Sequence, residues 1–258
     1  VGGESEFDPA GTLPPEGLVR IHVQDGGTFV LSCTPLHLPT LATGWLICEG
    51  MVRDRMEIEN LTVERPESGY AALVSLRLTS PATDRLASTV PEGGDVHAGA
   101  AAPYSSSEGD PVRRAPSALS AIRPLLEDRP TLASWFGDMF AEAPLRSAVG
   151  GMHTGALAVR GELACVVEDV SRHHVVDRLV GSAAIAGEAI SSSILLLSSR
   201  ISGAMASKAC RAGVAALVSR SVPTDLAVSV ARAGGVALVG RARREDPVYF
   251  WPEDASRR

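Results

Sequence analysis

The sequence predicts an α/β fold for the C-terminal half, from about residue 117. Two observations lead to that class. Short apolar runs of strand length recur there: ALAVRGELACVV, ILLLS at 194–198, VAALVS at 214–219 and VALVG at 236–240. Between them lie segments of helical period with short connections, a βαβαβ alternation that implies a parallel sheet covered by helices.

Each element follows in chain order. VRIHV and TFVLS, within residues 17–33, alternate as strands, and Asp25-Gly26-Gly27 between them is a hairpin signal. Thr34-Pro35 reads as a helix N-cap followed by proline at the first helical position. The apolar run LHLPTLATGWLICEG is then a helix ending at Gly50 and disturbed by Pro39 and Gly44. Residues 57–64 and 70–78 are two further strands, with a turn over Pro66 to Gly69. From about Ser80 to Pro116 the chain is rich in Pro, Gly, Ala and Ser without a period, a composition that suits a mobile loop or linker. Helices follow over 117–127 and 131–143. Gly150-Gly151 precede His153 and a pair of strands that turn at Arg160-Gly161. Helices over 176–189, 203–212 and 225–233 alternate with the remaining strands.

Of the 258 residues, 45% are hydrophobic and 21% charged, enough apolar material for a core. Aromatics make up 4%, so Ala, Val and Leu carry most of the packing. The formal net charge of −6 argues against a general nucleic-acid or anionic-membrane binder, whose footprint would be basic. No apolar run reaches the length of a membrane span, and no charged-then-apolar signal pattern opens the chain. The four cysteines, Cys33, Cys48, Cys165 and Cys210, form no Cys-x-x-Cys pair. Cys165 and Cys210 read as small buried hydrophobes. An acidic chain with such cysteines is expected in the reducing cytoplasm.

Chemistry concentrates between Glu168 and Arg178, EDVSRHHVVDR, directly after the apolar run Leu163 to Val167. A polar cluster at the end of a core strand is where open α/β sheets bind ligands. A helix beginning near Val170 places His173, Asp177 and Arg178 on or beside one face. His174, one position on, points about 100° away from His173. The candidate catalytic set is His153, Asp169, Arg172, His173 and Asp177. Asp169 is expected to orient an imidazole, Arg172 to hold an anion bidentately and His173 to move a proton. The hairpin through Arg160-Gly161 is expected to bring His153 opposite the start of the cluster, since paired strands lie only about 5 Å apart. Ser199, Arg200 and Ser202 follow one buried strand, and Ser221 and Thr224 follow the next. Such strand–loop–helix positions offer hydroxyls and amides to a phosphate, making these five the candidate cofactor-binding set. Each of the hydroxyls equally suits a helix N-cap. No metal-ligand set is assigned.

Four segments, in this order, resemble the FdhD family of formate dehydrogenase accessory proteins. TPLHLPTLATGWLICEG (34–50) is similar to the family's N-terminal helix, and GGMHTGAL (150–157) to its Gly-Gly-x-His segment. EDVSRHHVVDR is similar to a motif written EDVGRHNAxDK, and residues 198–243 to the C-terminal SGR…SAPT…LAxxxGLTLxG pattern. The resemblance implies a cytidine-deaminase-like α/β domain at 117–258, a smaller N-terminal β-rich α+β domain with one helix at 1–80, and a flexible connection at 81–116. It also implies a homodimer that moves sulfur from a cysteine desulfurase to a guanine-nucleotide-bearing molybdenum cofactor, with a formate-dehydrogenase-type oxidoreductase as client.

The departures bear on chemistry. Family members carry a Cys-x-x-Cys pair on a loop that corresponds to about 88–116 here, and this stretch contains no cysteine. Sulfane sulfur needs a thiolate, and Ser105, Ser106 and Ser107 cannot replace one. His174 stands at the family's usual Asn, Ser171 at its Gly and Arg178 at its Lys. Zinc deaminases use H-x-E followed by P-C-x-x-C. His153 is followed by Thr154-Gly155 with no later cysteine pair, and His97-Ala98-Gly99 fails the same test, so no zinc is expected. Two functions stay open. One is an accessory protein that binds a nucleotide-bearing molybdenum cofactor. The other is a repurposed paralogue that performs His/Asp acid–base chemistry on a small molecule or nucleotide.

Overall fold

The computed structural model describes residues 13–67, 69–87, 96–97 and 116–252. It is a mixed α/β protein built on two sheets. In the first, β1 (Gly17–Val23) and β2 (Gly27–Cys33) form the expected antiparallel hairpin, with Val23 opposite Gly27. After helix α1 (Leu38–Cys48), β3 (Ile58–Glu64) and β4 (Ala72–Leu78) complete the other side, β4 lying parallel to β1. A two-residue strand β5 (Val96–His97) pairs with β2, giving the order β3-β4-β1-β2-β5. Val19, Ile21 and Val23 alternate inward from β1, toward α1.

Helix α2 (Ser80–Ala87) occupies the start of the stretch whose composition suggested irregular chain. Its first turn closes through Ala82 and Thr83 N–H donating to the Thr79 carbonyl, and Pro81 sits early in that turn, where no donor is required. The rest of the expected linker, residues 88–95 and 98–115, lies outside the described residues.

The second sheet is mixed. Helices α3 (Pro116–Glu127), α4 (Arg129–Ala141) and α5 (Pro144–Val149) lead to the hairpin of β6 (His153–Val159) and β7 (Glu162–Asp169). Then come α6 (Arg172–Ala186), β8 (Ile194–Leu197), α7 (Gly203–Ala212), β9 (Ala216–Ser219), α8 (Asp225–Ala233), β10 (Ala237–Gly240) and β11 (Val248–Phe250). The strand order is β11-β10-β9-β8-β6-β7. β7, β8, β9 and β10 run in one direction, with parallel pairing confined to β8, β9 and β10; β6 runs against both β7 and β8, and β11 against β10. The parallel expectation therefore holds for the βαβαβ core, where helices return the chain. It fails at β6, where a two-residue turn reverses the chain within the sheet.

Alternation along the strands divides the core. Leu157, Leu195, Leu197, Leu217 and Leu238 join the large cluster that also contains α1 and the first sheet. Ala156, Leu196, Val218 and Val239 face Leu132, Phe136 and Met139 of α4. The layers thus run first sheet, α1, then α6 with α7 and α8, second sheet, and α3 with α4. Among the described residues no helix is long and apolar enough to cross a membrane.

Helix α1 is apolar on nearly every side because it is covered on every side. Trp45 packs against Phe29 of β2, with ring centroids 4.9 Å apart. The opposite face makes its most extensive helix contact with α6. There the backbones nearly touch: a Cβ on Gly44 would lie 1.7 Å from the Asp177 carbonyl oxygen, and one on Gly181 would lie 2.0 Å from that of Thr40. Gly44, expected to disturb the helix, is thus what allows it to cross α6. Pro39 lies in the first turn and costs no hydrogen bond. The helix start differs from expectation. His37, with φ 48°, precedes the first helical residue, and Thr34 caps nothing because its polar groups are engaged elsewhere, as described below.

Gly44→Ala and Gly181→Ala are expected to lower stability by about 2 kcal/mol or more, because backbone cannot rotate away from the added methyl. Gly137→Ala is the control. It lies exposed in α4 with nothing within 4 Å of its added Cβ. It should gain up to about 1 kcal/mol from helix propensity. Urea unfolding of the three variants checks both signs.

Candidate functional site

Read residue by residue, the cluster after β7 separates into inward and outward groups. Glu168 turns toward α5, where its carboxylate accepts from the backbone N–H of Leu145 (2.8 Å) and Arg146 (2.7 Å). Burial raises its pKa, and those two N–H donors pull the other way. Asp169 is fully buried. It accepts from Ser171 N–H at 2.8 Å, from Thr34 N–H at 3.3 Å and from Arg178 Nε at 2.8 Å. The rest of the Arg178 fork donates to the carbonyls of Leu36 (2.6 Å) and Thr34 (2.5 Å). Thr34 Oγ1 accepts from Val170 N–H at 3.2 Å. Asp169 and Arg178 thus bind the chain before α1 to the end of β7.

A second buried network lies one turn along. His174 Nδ1 meets Asp177 Oδ2 at 3.0 Å, and Lys208 Nζ donates to Asp177 at 2.9 Å and to Glu49 at 2.6 Å. Burial alone would raise the Asp177 pKa, but Lys208 and His174 together hold it below the ordinary value. Burial alone would lower that of Lys208, but Asp177 and Glu49 more than reverse it. The carboxylate–imidazole pair of this motif is therefore Asp177 with His174, inside the protein. No hydrogen bond joins Asp169 or Asp177 to His173 among the described residues.

His153, Arg172 and His173 face outward, each partly exposed. The hairpin register sets His153 opposite Asp169. Gly150 and Gly151, both at positive φ (66° and 64°), turn the chain from α5 into β6 and aim His153 at this end of the sheet. His173 Nε2 lies 3.4 Å from Ser202 Oγ. Burial, then Arg172, lowers the His173 pKa to about 4; burial and Arg172 lower that of His153 as well. Both groups are poised as neutral acceptors beside a cation.

The five candidate cofactor residues lie on two loops at the ends of β8 and β9. The loops are bridged at Ile201 and Pro223, with Thr224 N–H donating to the Ile201 carbonyl at 3.0 Å. Ser202 Oγ caps α7 through Met205 N–H (3.4 Å), and Thr224 Oγ1 caps α8 through Ala227 N–H (3.2 Å). Ser221 is held through its backbone: its N–H donates to Ser219 Oγ at 2.8 Å, and its carbonyl accepts from Arg241 N–H at 2.6 Å. Ser199 Oγ turns to the Arg200 carbonyl, and Arg200 is exposed. The arrangement brings His153, Arg172, His173 and Ser202 to one edge of the second sheet, beside Arg200. It leaves Asp169 and Asp177 behind that edge as buried supports.

The thiols sit elsewhere. Cys33, Cys48 and Cys210 are buried. Burial, reinforced by Asp169, pushes the Cys33 thiol up to about 12. Burial and Asp177 raise that of Cys48. Cys165 is half-buried, with a thiol raised by burial, in a cavity of about 620 Å³ along β7, the last strand of the second sheet among the described residues. Arg178, Thr34, Lys208 and Glu49 carry the architecture of this region without having stood among the candidates. Arg178 lies within the motif, but two of its three partners, the carbonyls of Leu36 and Thr34, are more than 140 residues away. Nothing local in the sequence points to Lys208.

His173 is expected to half-protonate near pH 4, and Arg172→Gln to move the His153 and His173 midpoints upward by removing a neighbouring cation. Imidazole NMR titrations read both. The linked stability follows in sign. The unfolded imidazole takes its proton near its ordinary value of 6.5 and the folded one near 4, so His173 costs stability progressively as pH falls between those values. His173→Asn should flatten that slope in chemical unfolding measured across the window.

Comparison with known proteins follows the same segments. A sulfur carrier protein FdhD from Bacillus subtilis (strain 168) is 29% identical over 234 residues, covering 90% of this chain and 86% of that protein. One from Chromobacterium violaceum is 33% identical over 226 residues, covering 86% and 81%. The crystal structure of a proposed formate dehydrogenase accessory protein from Desulfotalea psychrophila superposes with a TM-score of 0.67 at 21% identity, over 93% of this chain and 89% of that one, and so shares the fold. Residues 14–255 match the FdhD/NarQ family, and the chain belongs to that family.

Proposed function

We propose that this chain is an FdhD-type accessory protein that binds a nucleotide-bearing molybdenum cofactor as cargo for a formate-dehydrogenase-type oxidoreductase. The cargo's anionic part is held at the strand-end edge of the second sheet. The observation that carries this reading is the sorting of charge in the motif. Asp169 and Asp177 are buried and paired, while Arg172 and Arg200 remain outward beside two bridged loops. Such an edge presents cations and loop amides without an opposing carboxylate from the motif, which suits a phosphate. Ser199, Ser202, Ser221 and Thr224 shape the loops, and Arg200 supplies the charge. His153 and His173, kept neutral by burial and Arg172, hold or receive a proton at their free ring nitrogens. The reading carries with it a cytidine-deaminase-like topology for residues 117–258, the β-rich unit at 1–80, a homodimer and a cytoplasmic setting.

Sulfur transfer through a loop dithiol is not part of the proposal. The chain has no cysteine between Cys48 and Cys165, and three of its four thiols are raised in pKa by burial. This same observation favours a second reading, a repurposed enzyme in which His173 serves as general base beside Ser202 on a small molecule or nucleotide.

Calorimetric titration with guanosine diphosphate tests the cargo site. The wild type is expected to bind, and Arg200→Ala to weaken binding roughly tenfold or more, the worth of one charge-assisted contact. Unchanged affinity in that variant, or no binding by the wild type, removes the assignment. Incubation with a cysteine desulfurase and cysteine, followed by intact mass, is expected to show no added sulfur. High-yield uptake on any of the four cysteines would restore a sulfur-carrying role to this chain.

A further inference from the structure

On the face of the second sheet away from α6 and α7, five arginines gather along α4. Arg129, the first residue of the helix, lines a cavity of about 430 Å³ with Arg243, Arg244, Pro130, Ala133 and Ala242. At the other end of the helix, three guanidiniums surround the ring of Phe140: Arg146 at 5.0 Å from its centroid, Arg220 at 5.7 Å and Arg243 at 6.0 Å. Arg243 belongs to both groups, which makes them one strip. Arg129, Arg220, Arg243 and Arg244 are exposed and Arg146 partly so. None of the five makes a salt bridge among the described residues, although Arg241 beside them pairs with Asp246. From Arg129 to Phe140 the helix rises about 16 Å.

We propose that this strip is a docking surface for an extended acidic segment of a partner protein. Guanidiniums crowded at one aromatic ring repel each other, and cation–π attraction offsets only part of that. An arriving anion relieves the rest. The strip is also opposite in sign to the chain, whose net charge is −6, so its field selects and steers negatively charged groups against a repelling background. Length and texture choose among anions. A pyrophosphate spans only part of the strip, whereas about five extended residues cover it at roughly 3.3 Å each. Arginine and Phe140 are residue types enriched in protein interfaces, and with Pro130 and Ala133 they give carboxylates a fork and side-chain stems an apolar floor. A nucleic acid would find one aromatic in the strip, too few to stack successive bases.

The surface is separate from the proposed cargo edge, yet both draw on the same strand end. β9 is followed by Arg220, which turns to Phe140, and then by Ser221, which belongs to the loops bridged at Ile201 and Pro223. A partner docked along α4 would lie beside the edge at which cargo is held.

The test uses a fluorescein-labelled peptide of alternating glutamate and glycine, read by anisotropy on the full chain. Wild type should bind it in low salt, and high salt should weaken the binding. Arg220→Glu with Arg243→Glu should reduce affinity by about tenfold or more. Arg53→Glu, an equal charge change at an exposed residue before β3, should leave it intact. Circular dichroism and thermal unfolding of each variant establish that the fold is retained. Saturating guanosine diphosphate should not displace the peptide, so loss of the cargo reading and loss of this one are told apart. No peptide binding by the wild type, or equal binding by the double variant, overturns the proposal. Tighter capture of a single-stranded oligonucleotide, or displacement of the peptide by low concentrations of inorganic pyrophosphate, overturns it in favour of a phosphate ligand.

Discussion

The guanidinium of Arg178 is the joint on which the two sheets meet. Each of its three nitrogens donates inside the protein, one to Asp169 at the end of β7 and two to carbonyls of the segment that leads into α1. A buried ion pair of this kind contributes little net stability over an apolar substitute, but removing one partner costs about 3–5 kcal/mol because a charge is left unpaired. What it provides is position. Arg178 ties the start of α1 to α6, and the two helices then cross with Gly44 against the Asp177 carbonyl and Gly181 against that of Thr40. Direction comes from hydrogen bonds and depth from two missing side chains. The family's usual Lys at this position could not reproduce the three-way fork with one ammonium held at a single point.

The same geometry explains how one short motif serves two purposes. Along α6, helical rotation turns His174, Asp177 and Arg178 inward and leaves Arg172 and His173 at the rim. The inward acids meet inward cations, from Arg178 and from Lys208 on α7. The rim thereby becomes locally basic in a protein that is acidic as a whole. His174, where the family carries Asn, faces Asp177 and not solvent, so its substitution belongs to the buried network.

How much of this was legible in the sequence depended on distance along the chain. The β6–β7 hairpin and its pairing of His153 with Asp169 could be read because two apolar runs and an Arg-Gly turn sit side by side. The strands of the parallel core were legible for the same reason. Thr34 carries the local signal of a helix cap, Thr-Pro. Its actual partners, Asp169, Val170 and Arg178, compete for it from 135 to 144 residues away. Helix α2 was hidden by the composition of the segment that follows it. The arginines around Phe140 come from α5 and from the connections after β9 and β10, and converge only when the sheet has formed.

Because α1 is covered by α6, its apolar surface has no complete shelter while the chain is being made. Between synthesis of Cys48 and of Ala186 lie roughly 140 residues, which at ribosomal rates is on the order of ten seconds. During that interval the first sheet can cover one flank of the helix, through Trp45 and Phe29, but the face bearing Gly44 must wait. The N-terminal third is thus born as an unfinished half-core, dependent on its own later sequence for closure. Until α6 is made, the growing chain exposes the kind of apolar helix face that chaperones recognise, and a stalled or truncated product ending before α6 would have nowhere to hide it.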